Sequence, residues 1–327
     1  MPAKIRFYPK IAGDFSNFVV RIGGTKMSVK IYVDVGSNLY PKLLKEKGLE
    51  INLLNMHLRI DDQEYVCYDE NLDFDAFSKQ FYKDLEEGKK VQTSLVNSGD
   101  FLEAFKKDVD AGHEIFCLTM AKGISGTYNA ACIARDMVNE EKGKEVVYVL
   151  DSATAGFGEG LQAIKAYELA KEGKSLKEIA DFMEEFKWKV RSEFTVDTIK
   201  YLLKTGRVNA ILAKIVKLIS LKLMLYGSYE SKIEVSSRVL GRVKSIQKLG
   251  QQCIDFIDDK KSTVWISHCD CLEDANKLAD MLRAKGINNI EIHDYDLITG
   301  SHIGPKALAI FYVGKNRKFT KESNGKK

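Results

Sequence analysis

The first clear apolar run is Met27 to Val35 (MSVKIYVDV), where β-branched residues predict a strand. Asp34 and the following Gly36-Ser37-Asn38 form a turn suited to capping a helix over Leu39 to Lys47. Leu49 to Ile60 (LEINLLNMHLRI) reads as one strand, followed by an Asp61-Asp62 turn and a short strand over Glu64 to Tyr68. Phe77, Phe81 and Leu85 recur on one face and predict an amphipathic helix from Phe74 to Glu86.

The pattern then becomes βα alternation. A helix over Gly99 to Asp110 precedes the apolar strand Glu114 to Thr119 (EIFCLT). Ser125 opens a helix running to about Asn139. Glu145 to Leu150 is the next strand, ending at Asp151-Ser152, and Gly158 to Lys171 is a helix. Such alternation predicts a parallel sheet flanked by helices, with ligands at the carboxyl ends of its strands. That rule singles out the residues just after the strands at Thr93, Thr119 and Leu150.

The second half differs. Helix Leu176 to Lys187, strand Arg191 to Val196 and helix Asp197 to Lys204 lead to a Thr205-Gly206-Arg207 turn. Lys222 to Gly227 and Lys232 to Val235 form a hairpin around Gly227-Ser228. Helix Arg242 to Asp258, strand Thr263 to Ser267, helix Leu272 to Lys285, and strands Ile290 to Tyr295 and Ala307 to Val313 complete it. Neighbouring strands without crossovers predict a mixed or antiparallel sheet with helices. The expected fold is thus α/β in two domains, 28–172 and 173–318. A 1–27 extension precedes them, a basic tail of 319–327 follows, and the segment around 50–90 docks on the second domain.

Composition narrows the classes. The chain has 327 residues, enough for two cores, with 45% hydrophobic and 29% charged residues, as in ordinary globular proteins. A net charge of +4, clustered only in the tail Lys315 to Lys327, gives no nucleic-acid footprint. Six scattered cysteines read as reduced thiols and predict a cytoplasmic protein. The most apolar stretch, Ile211 to Tyr226, is interrupted by Lys214, Lys217 and Lys222 and is too short to span a bilayer.

Three constellations carry candidate chemistry. In Lys122-Gly123-Ile124-Ser125-Gly126-Thr127-Tyr128, Ser125 either caps its helix or stands where backbone N–H groups receive an anion. In Val91-Gln92-Thr93-Ser94, Asn97 or Ser98 is free to cap the next helix, leaving Thr93 and Ser94 as ordinary loop residues or ligand contacts. In Thr299-Gly300-Ser301-His302-Ile303-Gly304-Pro305, a tight glycine-flanked loop holds a histidine that is either structural or a carboxylate partner. His268-Cys269-Asp270-Cys271 lacks a second ligand pair at zinc spacing, so no metal is expected. The glycines around Glu159 match no phosphate or dinucleotide loop, and Thr127 stands two residues after Ser125 where a nucleophile elbow has a glycine.

Read in order, these segments resemble the DegV family, which includes the fatty-acid-binding subunits of bacterial fatty-acid kinase. The markers are Thr93-Ser94, Ile124 to Tyr128, Asp151-Ser152, Phe194-Thr195-Val196 with Tyr201-Leu202 and Gly206-Arg207, and His302-Ile303-Gly304-Pro305, spread from about Lys30 to Val313. The resemblance implies a buried acyl chain, such as that of palmitate, with its carboxyl group held by Thr93 and Ser125 and His302 close by. Ser94, Lys122, Gly126, Thr127, Asp151, Ser152 and Arg207 are the supporting candidates. It further implies a non-catalytic carrier without a cofactor, not inserted in the membrane, that presents its ligand to a kinase; a monomer is the default. The rival class is an acyl hydrolase or acyl-transfer enzyme using Ser125 and His302. Departures from the family pattern are Val35 after Asp34, Ala121-Lys122 before the serine turn, Lys306 after Gly304-Pro305, and Leu240 in place of an arginine of kinase-linked members.

Overall fold

A computed structural model describes residues 28–68, 73–208 and 220–317. The expected 1–27 extension, residues 209–219 of the lysine-interrupted segment and the 319–327 tail lie outside these residues. The first half builds β1 (Val29–Asp34), α1 (Pro41–Glu46), β2 (Ile51–Leu54), β3 (His57–Ile60), β4 (Gln63–Val66), α2 (Phe74–Glu87), β5 (Val91–Thr93), α3 (Ser98–Asp110), β6 (Glu114–Thr119), α4 (Thr127–Lys142), β7 (Val147–Asp151) and α5 (Phe157–Lys171). A sheet of order β2-β1-β6-β7 is parallel throughout. Its strands are covered by helices, which is why β6 is apolar almost from end to end.

The second half contributes α6 (Leu176–Phe186), β8 (Val190–Thr195), α7 (Lys200–Lys204), β9 (Leu221–Gly227), β10 (Ile233–Leu240), α8 (Arg242–Phe256), β11 (Val264–His268), α9 (Leu272–Arg283), β12 (Ile290–Asp294), α10 (Leu297–Ile303) and β13 (Leu308–Val313). Its sheet, β10-β9-β8-β13-β11-β12, is mixed: only β11 and β12 run parallel. Helices α8 and α9 cover one face over a core that includes Met224, Leu249, Leu278 and Ile310. Helix α5 packs against β1 and β6 of the first sheet and against β8 and β13 of the second. Phe157 in its first turn meets Trp265 at 4.4 Å and Phe311 at 6.4 Å between ring centroids, so one core runs continuously from Ile31 to Phe311.

The structure revises several expected elements. Leu49 to Ile60 is two strands, not one: β2 joins the parallel sheet, and β3 centres a separate antiparallel sheet of order β4-β3-β5. The burial pattern explains the split, since His57 and Arg59 are exposed while Leu58 and Ile60 are buried, as in a strand with one wet face. Thr93 therefore ends a strand of this small sheet rather than one of the parallel strands. The loop expected around His302 is the helix α10. Helix α4 begins at Thr127, not Ser125, and α7 at Lys200 rather than Asp197.

Candidate functional site

Three segments converge at the carboxyl end of the first sheet: the end of β5, the β6–α4 loop and α10. The β6–α4 loop is fixed from beneath, because the buried Asp34 carboxylate accepts the Met120 N–H at 3.0 Å and Ala121 N–H donates to Thr154 O at 2.7 Å. Helix α10 is capped by Asp296, whose side chain accepts the Thr299 N–H at 2.7 Å. Gly300 lets this helix lie on α2; a Cβ there would stand 2.2 Å from the Tyr82 hydroxyl.

The polar atoms meet as follows. Thr93 Oγ1 lies 3.2 Å from His302 Nε2. Ser125 Oγ shares a 2.9 Å hydrogen bond with Thr127 Oγ1 and accepts the Thr127 N–H at 3.2 Å. Ser125 thus bonds the first residue of α4, whose N-cap is Gly126, and also lines the cavity. Burial, and secondarily the Arg207 cation, push the His302 imidazole down to about 4, and its Nδ1 has no protein partner. Arg207 Nε donates to Ile124 O at 3.2 Å, and its Nη1 donates to Thr205 O. Burial lowers this guanidinium from its ordinary value, and among the described residues no carboxylate pairs with it.

Two cavities adjoin here. The first, about 650 Å³, is the polar one, with Thr93, Ser125, Arg207 and His302 in its wall beside Met56 and Leu95. The second, about 450 Å³, is lined mostly by apolar groups, among them Ala121, Ala153, Ala155, Phe194 and Tyr295. Ile124, Ile233, Thr299 and Ile303 belong to both walls, and this shared boundary is called the neck.

The remaining sequence candidates divide. Ser94 and Gly126 line the polar cavity, but the Ser94 hydroxyl also accepts the His57 N–H at 2.9 Å. Thr127 is buried behind Ser125. Lys122 lines neither cavity; its Nζ sits 3.7 Å from Asp151 and over the Tyr128 ring. Asp151 and Ser152 also stand behind the wall, where Ser152 Oγ donates to Thr154 O at 3.1 Å. Asn97 caps α3, accepting from Gly99 and Asp100 N–H at 2.8 and 3.1 Å, which leaves Thr93 outside that task. Of the departures, Val35 is buried in a 3-10 turn, Ala121 lines the apolar cavity, and Leu240 ends β10 at 57% exposure. Lys306 adopts a left-handed φ of 60°, a conformation that explains a glycine preference at that position.

Sequence reasoning missed the neck isoleucines and the small residues Ala153 and Ala155. Single aliphatic side chains carry no local mark of which of them face a cavity. All six cysteines are free thiols. Among the described residues, no cluster of three or more ligand-type side chains could hold a metal, and no helix is long and apolar enough to cross a membrane.

Comparison with known proteins follows the same outline. A family profile described as "Uncharacterised protein, DegV family" matches residues 28–315. A DegV domain-containing protein of Clostridium perfringens is 35% identical over 289 residues, covering 88% of this chain and 98% of that one. Among solved structures, a fatty-acid-binding DegV family protein from Thermus thermophilus has a TM-score of 0.76 at 21% identity, covering 88% of this chain and all of its own. The Streptococcus pneumoniae fatty acid kinase B3 protein, loaded with linoleic acid, has a TM-score of 0.74 at 20% identity, again covering 88% and 100%.

Proposed function

The chain belongs to the DegV family, and from that membership and the site's geometry we propose that it binds a long-chain fatty acid. The acyl tail occupies the apolar cavity, and the carboxyl group lies in the polar one against Thr93, Ser125 and His302. The observation that carries this reading is the junction itself: a polar cavity that borders, across a boundary of three isoleucines and Thr299, on an apolar one. That is the shape of an amphiphile with one polar end.

The energetics agree. Burying methylenes contributes about 0.8 kcal/mol each, so fourteen give roughly 11 kcal/mol before association and ordering take a large share back. A buried carboxylate needs partners. Thr93 and Ser125 offer hydroxyl donors, and Arg207 supplies a half-buried cation that pairs with no carboxylate among the described residues. Neutral at neutral pH, His302 donates or accepts according to tautomer.

The chain holds its ligand without transforming it, for transport or for presentation of the carboxyl group to a partner kinase, palmitate being a representative ligand. The likeness to a fatty acid kinase B protein supports the partnership. The hydrolase alternative gains nothing from the geometry, since the side-chain partner of Ser125 is Thr127 and that of His302 is Thr93. Gentle organic extraction of the purified protein, followed by mass spectrometry, tests the reading. A stoichiometric long-chain fatty acid is expected. A lipid-free extract, with no uptake of added fatty acid, overturns it.

A further inference from the structure

One wall of the apolar cavity is the tip of the β9–β10 hairpin, where Gly227, Ser231 and Ile233 face the turn at Ala153-Thr154-Ala155. The tip is tied across this cavity by a buried side-chain bond: Ser231 Oγ donates to Asp151 Oδ2 at 2.6 Å. The other carboxylate oxygen accepts the Lys122 and Ala153 N–H groups at 3.2 and 3.0 Å. Asp151 is therefore anchored to both loops of the first sheet and offers its second oxygen, which Lys122 Nζ approaches at 3.7 Å, to the hairpin. Ser231 holds a left-handed φ of 62°, an uncommon conformation for serine. Its carbonyl presses on Gly123, where a Cβ would come within 2.1 Å. Arg317 Nη1 donates to both Ala153 O and Gly227 O and so ties the β9 side of the same tip to this turn.

We propose that Asp151 is a positioning residue that latches the β9–β10 tip through Ser231, and that the acyl tail enters and leaves by release of this tip. The proposal rests on the fatty-acid reading above. Threading from the polar cavity would drag the whole tail past Thr93, Ser125 and Arg207 and through the isoleucine neck. Releasing the Ser231 side of the tip breaks one side-chain bond, with Arg317 still holding Gly227, and opens the apolar wall directly. Because Ile233 belongs to β10 and to the neck, the same movement widens the neck. Asp151 lines neither cavity, so it acts only through the tip.

Ser231→Gly tests this cleanly, because it deletes the hydroxyl, suits the left-handed backbone and leaves the loop contacts of Asp151 in place. Asp151→Ala is the companion variant. Two quantities are measured: amide hydrogen exchange of residues 226–233 in the ligand-free protein, and the rate at which cis-parinaric acid passes from the protein to phosphatidylcholine vesicles. Ser231→Gly is expected to accelerate exchange and transfer on the order of 10-fold, the effect of losing one hydrogen bond to a charged group, and Asp151→Ala, which also removes the Lys122 and Ala153 N–H bonds, at least as much. Uptake should accelerate equally, leaving the dissociation constant nearly unchanged. Unchanged exchange at the tip overturns the latch. Faster exchange with unchanged transfer overturns the route, as does faster release matched by an equal loss of affinity. A wild-type protein that binds no fatty acid sinks the carrier reading and the route with it, while hydrogen exchange still judges the latch alone.

Discussion

Deleting the two hydroxyls, by Thr93→Val and Ser125→Ala, tests the carboxyl site most directly. Each hydroxyl already has a protein partner, Thr93 in His302 at 3.2 Å and Ser125 in Thr127 at 2.9 Å. A carboxylate therefore exchanges a neutral hydrogen bond for a charge-assisted one, a net gain of about 1–1.5 kcal/mol per hydroxyl. Each single variant should weaken binding roughly 10-fold, and the double variant about 100-fold. Displacement of a fluorescent fatty acid by unlabelled palmitate reads these constants. The methyl ester of the same acid should be almost blind to both substitutions, because it carries no charge to hold. Ser125→Ala also removes the acceptor for the Thr127 N–H, so a stability loss of about 0.5–1 kcal/mol accompanies it and not Thr93→Val. A folded double variant that binds palmitate within about threefold of the parent refutes the assignment.

Three further outcomes follow from the geometry. The His302 imidazole stands at about 4 in the empty site, and a carboxylate beside it must raise that value. Binding therefore takes up a proton, so affinity should grow as pH falls from 7, and the His302 ring signals in NMR should titrate higher in loaded than in empty protein; equal titration would place the ligand's charge elsewhere. Burial pushes Asp34 up from 3.8 to about 6 and Asp296 up from 3.8 to about 7. Raised folded values mean that their contribution to stability is complete below 3.8 and is lost as pH rises through 6 to 7. Asp296→Asn should accordingly reduce the fall in urea midpoint between pH 5 and pH 8, and an unaltered slope would count against a charged, buried Asp296. Finally, Lys306→Gly should stabilise by about 0.5–1 kcal/mol, since it relieves a left-handed φ of 60°; a lower melting temperature would contradict that.

Most elements were legible because their signals are local. Strand β6 was read to the residue, and the α2 face of Phe77, Phe81 and Leu85 was plain in its spacing. What failed was non-local. Nothing between Leu54 and His57 marks a strand break, because no glycine or proline is needed when the chain simply passes from one sheet to another. Glycines around His302 suggested a loop, yet Gly300 is there because Tyr82 leaves no room for a side chain. The same limit applies at the site. Thr93, Ser125 and His302 could be named from motif order, and the structure brings all three to one cavity wall. Lys122 and Asp151 could not be sorted from sequence, because their mutual pairing behind that wall depends on two loops meeting.

Helix α5 is the element both sheets share, and its first turns, from Phe157 to Gly160, have no face left for water. Neither sheet can shed that helix without baring its own inner surface, so the two layers must melt together in one cooperative event. A chain cut after Lys171 would leave the second sheet with an uncovered apolar face and the first fragment with an adhesive helix. Recombination of a gene at that seam is therefore barren, although the loop there looks like a natural joint. The candidate site lies between parts that can only be inherited together.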